Sequence, residues 1–228
     1  MTSASRPAIG RSDDEVRSYL EEVRTEITRV GRNDATIVAV TKGFDRSAVE
    51  CAARIGVVDI GENYAQELLE KQPLPDAVRT HFIGRIQRNK IRKIADTVTL
   101  WHSVSRPEVF TELAKRTPNP RALIQVAAPG DDTKAGVEAA EIETLLAVAS
   151  QEGVEIAGLM TIGVLGDTDR TRESFKELTR LADLYGLQER SMGMSGDYRD
   201  ALAAGATMLR LGSLLFGPRP SSDTVRKD

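Results

Sequence analysis

The strongest constraint in the sequence is an alternation of two textures that runs from residue 13 to residue 217. Short apolar runs rich in β-branched residues read as buried strands at 36–40, 57–60, 80–83, 98–101, 122–126, 156–160, 188–192 and 207–211. Between them, apolar residues recur at helical spacing. Residues 13–30 carry Val16, Leu20, Val23 and Ile27, close to a 3.6-residue repeat. Further helices are predicted over 47–55, 65–71, 87–95, 107–116, 137–151, 170–185 and 198–204. Pro107 suits a first helical turn, and Asp197 is expected to cap the helix that follows it. Strand followed by helix, eight times over, implies parallel strands joined by helical crossovers. Nearly continuous apolar strands fit a sheet covered on both faces. The expected fold class is therefore α/β: a single (β/α)8 TIM barrel over residues 13–217 with an additional N-terminal helix. Residues 1–12 and 218–228 read as flexible tails. An open doubly wound sheet would carry a glycine-rich dinucleotide turn after its first strand. Thr41-Lys42-Gly43-Phe44-Asp45 is not that turn, and no phosphate-binding P-loop motif occurs.

Composition narrows the function classes. Thirty-one basic against 34 acidic residues give a formal charge of −3, so there is no overall electrostatic footprint for nucleic acid. A mean hydropathy of −0.29 with 40% hydrophobic residues argues against disorder of the whole chain. No apolar run is long enough for a membrane span, and the N-terminus lacks the apolar stretch of a secretion signal. The single cysteine, Cys51, excludes an internal disulfide and fits the cytoplasm. Its apolar helical setting reads as core. Two histidines and one cysteine argue against a His/Cys zinc cage, and Asp167, Asp169 and Glu173 lack calcium-loop spacing.

In a barrel, function gathers in the loops after the strands. Lys42 follows the first strand and Gly61-Glu62-Asn63 the second. His81 ends the third with Phe82-Ile83-Gly84, and the fourth is expected to end near His102 and Ser103. Gly193-Met194-Ser195-Gly196 follows the seventh, and Arg210-Leu211-Gly212-Ser213 ends the eighth. Barrels often bind phosphate between these last two loops, at the start of a short extra helix. Glycines let backbone N–H groups approach an anion, and serine hydroxyls add donors. Alone, such turns also read as tight turns and a helix cap. Lys42 has a second meaning at a dry barrel mouth, where desolvation favours a neutral amine that can attack an aldehyde. Alone, it also reads as a lysine snorkelling from a strand end. A lysine on one side and a phosphate cup opposite together point to pyridoxal phosphate, which carries an aldehyde and a phosphate on one ring.

Several segments carry a family resemblance: Val38-Ala-Val-Thr-Lys42, Ile60-Gly-Glu-Asn63, His81-Phe-Ile-Gly84 with Gln87-x-Asn-Lys90, Trp101-His-Ser103, Lys134-Ala-Gly136, Gly158-Leu-Met160, Met192-Gly-Met-Ser195 and Met208-Leu-Arg-Leu-Gly212 through Phe216-Gly217. In this order and spacing the sequence resembles the YggS/PROSC family of pyridoxal phosphate homeostasis proteins, whose fold is similar to the barrel domain of alanine racemase. The resemblance implies that Lys42 forms the internal aldimine, that Asn63 lines the cofactor pocket, and that Ser195 with Gly212 and Ser213 contacts the phosphate. It implies that Arg210 faces the pyridine nitrogen. His81 and Met194 lie in matched motifs and are expected to line the ring pocket, His81 being equally readable as a satisfied core histidine. Gly43-Phe44, Arg85, Ser105 and Ser213 depart from the commonest family pattern, and Ser213 keeps the hydroxyl of the usual threonine.

An arginine stays protonated, so Arg210 should leave the ring nitrogen unprotonated and the ring a poor electron sink. Racemisation also needs an acid/base on each face of the substrate carbon. In alanine racemase the second group comes from an additional C-terminal domain, which the residues up to Asp228 do not include. The expected function is thus cytoplasmic binding and homeostasis of pyridoxal phosphate, with influence on amino-acid pools, rather than robust turnover. Apo forms of pyridoxal phosphate-dependent enzymes are the expected recipients, and a monomer is expected. A small amino-acid racemase is the alternative. The basic stretch 85–93 raises a third reading, an RNA or protein interaction module, against that of a solvated helix face.

Overall fold

The computed structural model describes residues 6–129 and 136–218. Eight parallel strands close into a barrel in sequence order: β1 (Thr36–Val40), β2 (Asp59–Glu62), β3 (Arg79–Phe82), β4 (Val98–Val104), β5 (Arg121–Gln125), β6 (Glu155–Met160), β7 (Glu189–Ser191) and β8 (Met208–Leu211). Helix α1 (Asp13–Arg29) precedes the barrel. The crossovers are α2 (Ser47–Arg54), α3 (Ala65–Glu70), α4 (Arg88–Ile94), α5 (Pro107–Ala114), α6 (Ile142–Gln151), α7 (Thr168–Leu184) and α8 (Tyr198–Ala203). A four-residue helix, α9 (Ser213–Phe216), follows β8. The eighth strand closes on the first, with Val38 opposite Arg210 and Ala39 opposite Leu211. Among the described residues no helix is long and apolar enough to cross a membrane.

Local chemistry sets the elements. Helix α1 starts at a capping box: Glu15 N–H donates to Ser12 Oγ at 3.3 Å, and Ser12 N–H donates to Glu15 Oε2 at 2.8 Å. Its Val16, Leu20, Val23 and Ile27 are buried, as their spacing predicts. Helix α7 starts at Asp167, which accepts from Arg170 N–H at 3.0 Å. Strand side chains alternate between two environments. Trp101, Ile124, Leu159, Leu209 and Leu211 join the large core between strands and helices. Leu100, Leu123, Ala157, Met160 and Met208 form a small separate cluster inside the barrel.

Several boundaries differ from the sequence reading. Residues 6–12 of the expected tail are tied down, because Arg6 pairs with Glu67 and Glu70 and Asp45 N–H donates to Pro7 O at 2.9 Å. Arg11 also donates to Leu214 O and Leu215 O, carbonyls in the last turn of α9. Of the second tail only Pro218 is described, and Lys134 with Ala135 also lies outside the described residues. Strand β2 sits two residues later than expected, since pairing with both neighbours carries Gly61 and Glu62 into the sheet. Strand β4 continues through His102 and Ser103 to Val104. His102 stays in the strand because His81 and Ser191 inside the barrel supply its hydrogen bonds, and Ser103 Oγ donates to Ile83 O at 2.9 Å. The helix expected over 137–151 is a 3-10 turn (Ala139–Glu141) followed by α6.

One glycine fixes how the loop after β2 crosses β3. A methyl on Gly84 would lie 2.0 Å from the Asn63 carbonyl oxygen. Gly84→Ala is therefore expected to displace this loop and lower stability by about 1–3 kcal/mol, the usual scale of overpacking, measured by urea denaturation.

Candidate functional site

Strand β1 delivers Lys42 to the C-terminal mouth, and both of its neighbours are clamped. Thr41 N–H donates to Gly61 O at 3.1 Å, and its hydroxyl donates to Glu62 Oε1 at 2.5 Å. Lys71 Nζ donates to Thr41 O at 2.7 Å and to Glu62 Oε1 at 2.5 Å. Both side chains of this ion pair are buried, at 2% and 0% exposure. Burial pushes the Glu62 carboxyl up, and Lys71 opposes it. On the other side, Gly43 takes a left-handed φ of 82° and donates its N–H to Glu67 Oε2 at 2.7 Å.

Lys42 lines a cavity of about 270 Å³ together with Met194, Ser195, Arg210, Gly212 and Ser213. Val40, Phe44 and Ile83 form its apolar walls. Six of the eight predicted site residues thus meet in one cavity. The amine and the serine turns are not across the mouth from each other, as the sequence reading had them. Strands β1 and β8 are hydrogen-bonded neighbours, so the two features stand side by side around a small space.

The turn after β7 is shaped by Gly193, whose φ is +89° and where a methyl would sit 2.5 Å from Ala201 Cβ. Asp197 does not cap α8 with its side chain as expected. Its Oδ1 instead accepts Met194 N–H at 2.5 Å and closes the turn that presents Ser195. Burial raises the Asp197 carboxyl, against the hydrogen bond from Met194. Ser195 Oγ accepts Leu214 N–H at 3.0 Å, which ties this turn to the start of α9. The Ser195 hydrogen is then available to a ligand.

Arg210 is buried and donates to Ser191 Oγ at 2.7 Å and to Thr161 O at 2.9 Å. Burial lowers its guanidinium to about 10, with the charge of Asp197 opposing. His81 does not line the cavity. It is buried on β3, with Nδ1 2.8 Å from His102 Nε2 and Nε2 2.9 Å from Asp59 Oδ1, the satisfied interior histidine of the two readings weighed above. Burial above all pushes His102 well below the ordinary imidazole range. Asp59 is raised by burial, but hydrogen bonds from His81 and Arg79 outweigh this and hold its carboxyl below the usual range. Asn63 borders neighbouring clefts of about 460 and 510 Å³ rather than the Lys42 cavity. Its buried Oδ1 has no hydrogen-bond partner among the described residues. Arg85, Arg88, Lys90, Arg92 and Lys93 are exposed on and before α4, away from the cavity.

Sequence reasoning passed over Lys71, Ser191 and Asp59. A signal for the last two existed: each is a polar residue within a strand, on the phase that also carries His81, His102 and Arg210. The donor set suits a ligand with an aldehyde and a phosphate. It offers a primary amine, two serine hydroxyls at tight turns and a guanidinium around one cavity.

A closed (β/α)8 barrel with a lysine after its first strand and paired serine turns after its last two defines a barrel of the alanine racemase type. A family model described as "Alanine racemase, N-terminal domain" matches residues 16–220. Alanine racemase from Clostridium difficile 630 superposes with a TM-score of 0.72 at 17% identity, over 98% of this chain and 61% of that one, a likeness of fold. A pyridoxal phosphate homeostasis protein of Synechocystis sp. is 37% identical over 216 residues, 88% of this chain and 99% of the relative. One of Escherichia coli (strain K12) is 33% identical, over 92% and 99%. PipY of Synechococcus elongatus PCC7942, solved with PLP bound, superposes with a TM-score of 0.77 at 30% identity, over 89% of this chain and all of PipY. The chain belongs to the family of pyridoxal phosphate homeostasis proteins.

The clamp on Thr41 yields a stability prediction. Lys71→Met leaves the Glu62 carboxyl buried without its cation, and the unfolding free energy is expected to fall by about 3–5 kcal/mol. Adding Glu62→Gln should recover part of that loss in the same denaturant titration.

Proposed function

We propose that this protein binds pyridoxal 5'-phosphate, attaches it covalently through Lys42, and serves the intracellular homeostasis of vitamin B6 and amino-acid pools. The carrying observation is the meeting of Lys42, Ser195, Arg210, Gly212 and Ser213 around one 270 Å³ cavity. Membership of the homeostasis family and the PLP-bound PipY structure support it. The cofactor supplies an aldehyde that condenses reversibly with primary amines. The Lys42 amine is the group that meets it, fixed in place by the Thr41 and Gly43 clamps. The hydroxyls of Ser195 and Ser213 and the N–H groups beside Gly212 bind the phosphate. Arg210 gives an N–H to the ring nitrogen and, as a donor without an acceptor, leaves that nitrogen unprotonated. Phe44 and Ile83 cover the ring and exclude water. Asn63, in the β2–α3 loop, lines the neighbouring clefts, and Met194 covers the cavity edge.

The same reading places the protein in the cytoplasm as a monomer, with apo forms of pyridoxal phosphate-dependent enzymes as recipients. A reversible bond to Lys42 supports transfer, because a competing amine displaces the lysine. The buried Cys51, whose thiol burial and the Asp13 carboxylate push up to about 12, accords with a thiol that does no redox chemistry.

The test begins with the purified protein, the cofactor and borohydride. Reduction should fix the cofactor on the Lys42 peptide in the wild type, and Lys42→Ala should show no fixed label by peptide mass. Label on another lysine in both proteins would refute the reading. Ser195→Ala is expected to weaken pyridoxal phosphate about tenfold, the scale of one hydrogen bond to a charged group. Pyridoxal, which lacks the phosphate, should bind both proteins alike in a fluorescence titration.

A further inference from the structure

The hydrogen bonds of Arg210 run on through the whole barrel, and their direction can be derived. A guanidinium has donors and no acceptor. Ser191 Oγ, 2.7 Å from Arg210 Nη1, is therefore the acceptor of that bond. The Ser191 hydrogen is left to donate to His102 Nδ1, 2.9 Å away. His102 then carries its proton on Nε2 and donates to His81 Nδ1 at 2.8 Å. His81 likewise carries its proton on Nε2 and donates to Asp59 Oδ1 at 2.9 Å. Arg79 holds the far end, with Nε 2.8 Å from Asp59 Oδ1 and Nη2 2.6 Å from Oδ2. Every link donates in one sense, from the cavity to the start of β2.

The opposite sense fails on the same atoms. It would set the His81 Nε2 lone pair against the Asp59 carboxylate. A doubly protonated His81 would reverse the upper links and leave the Ser191 hydrogen without an acceptor among the described residues. A cation at one end and a carboxylate at the other thus dictate both tautomers. Bonds aligned in this way polarise one another, which makes Ser191 Oγ a better acceptor for the guanidinium.

We propose that Asp59, His81, His102 and Ser191 form a positioning relay that fixes the rotation and charge of Arg210, so that its remaining N–H groups face the ring nitrogen of the cofactor. None of the four lines the cavity. They act through Arg210, and this role rests on the cofactor reading above.

The chain has two histidines, which makes the relay directly observable. In the cofactor-free protein labelled with 15N-histidine, both rings should be neutral at pH 7 with the proton on Nε2, His81→Gln assigning the pair. A ring protonated on Nδ1, or a doubly protonated ring, would overturn the relay. In the loaded protein, Ser191→Ala should weaken pyridoxal phosphate about tenfold or more and shift its visible absorption band, with circular dichroism of the wild-type form. Asp59→Ala, at the far end of the barrel, should shift the band in the same direction. Wild-type affinity and an unshifted band in a folded Ser191→Ala protein would refute the positioning role. Failure of borohydride to fix cofactor on Lys42 in the wild type would instead overturn the cofactor reading, and with it the role toward the ring. The tautomer spectrum judges the relay in either case.

Discussion

The pairing of β8 with β1 is the constraint on which the site depends. Barrel closure sets Val38 beside Arg210 and Ala39 beside Leu211, so the first and last strands end at the same point of the mouth. Lys42 and the Gly212-Ser213 turn are neighbours only because of this register. The turn after β7 joins them through bonds from Arg210 N–H to Gly193 O and from Leu214 N–H to Ser195 Oγ. A slip of one residue in β8 would turn Arg210 out of the interior and Leu209 or Leu211 into it. Register, more than any single side chain, decides whether a cavity with an amine, hydroxyls and a guanidinium exists at all.

Two buried polar systems flank that seam, and they differ in kind. The Thr41–Glu62–Lys71 clamp is a short ion pair that fixes backbone: it fastens the residue before Lys42 and leaves the lysine to the cavity. The column from Arg210 to Asp59 is long, mostly neutral, and fixes a charge. Burying a guanidinium is costly without partners, and Ser191 Oγ and Thr161 O accept its hydrogen bonds. The apolar cluster of Leu100, Leu123, Ala157, Met160 and Met208 fills the interior that these polar groups leave. The barrel interior is thus divided between a part that packs and a part that orients.

The architecture was legible in the sequence because strands and helices carry local signals, in β-branched runs and, for α1, in the spacing of Val16, Leu20, Val23 and Ile27. Lys42, Ser195, Arg210 and Ser213 were legible because barrel loops have fixed places at the strand ends, and the family resemblance assigned their roles. What escaped the reading was set by tertiary contact. His102 looks like a loop residue until the interior supplies Ser191 and His81 as partners. Asp197 looks like a helix cap until Met194 N–H takes its oxygen. Lys71, on the edge of a helix, gives no sign that it turns inward to Glu62. The spatial relation of Lys42 to the serine turns was misjudged for the same reason, since strand order around a closed barrel is a global property.

The most direct test of the central claim, that one cofactor spans Lys42 and the serine turns, is a crystal structure of the protein grown with pyridoxal phosphate. The account predicts continuous density from Lys42 Nζ to the ring, the ring nitrogen beside Arg210, and the phosphate between Ser195 and Ser213. Density for the cofactor elsewhere, such as the cleft bordered by Asn63 and Trp101, with Lys42 unmodified, would contradict it.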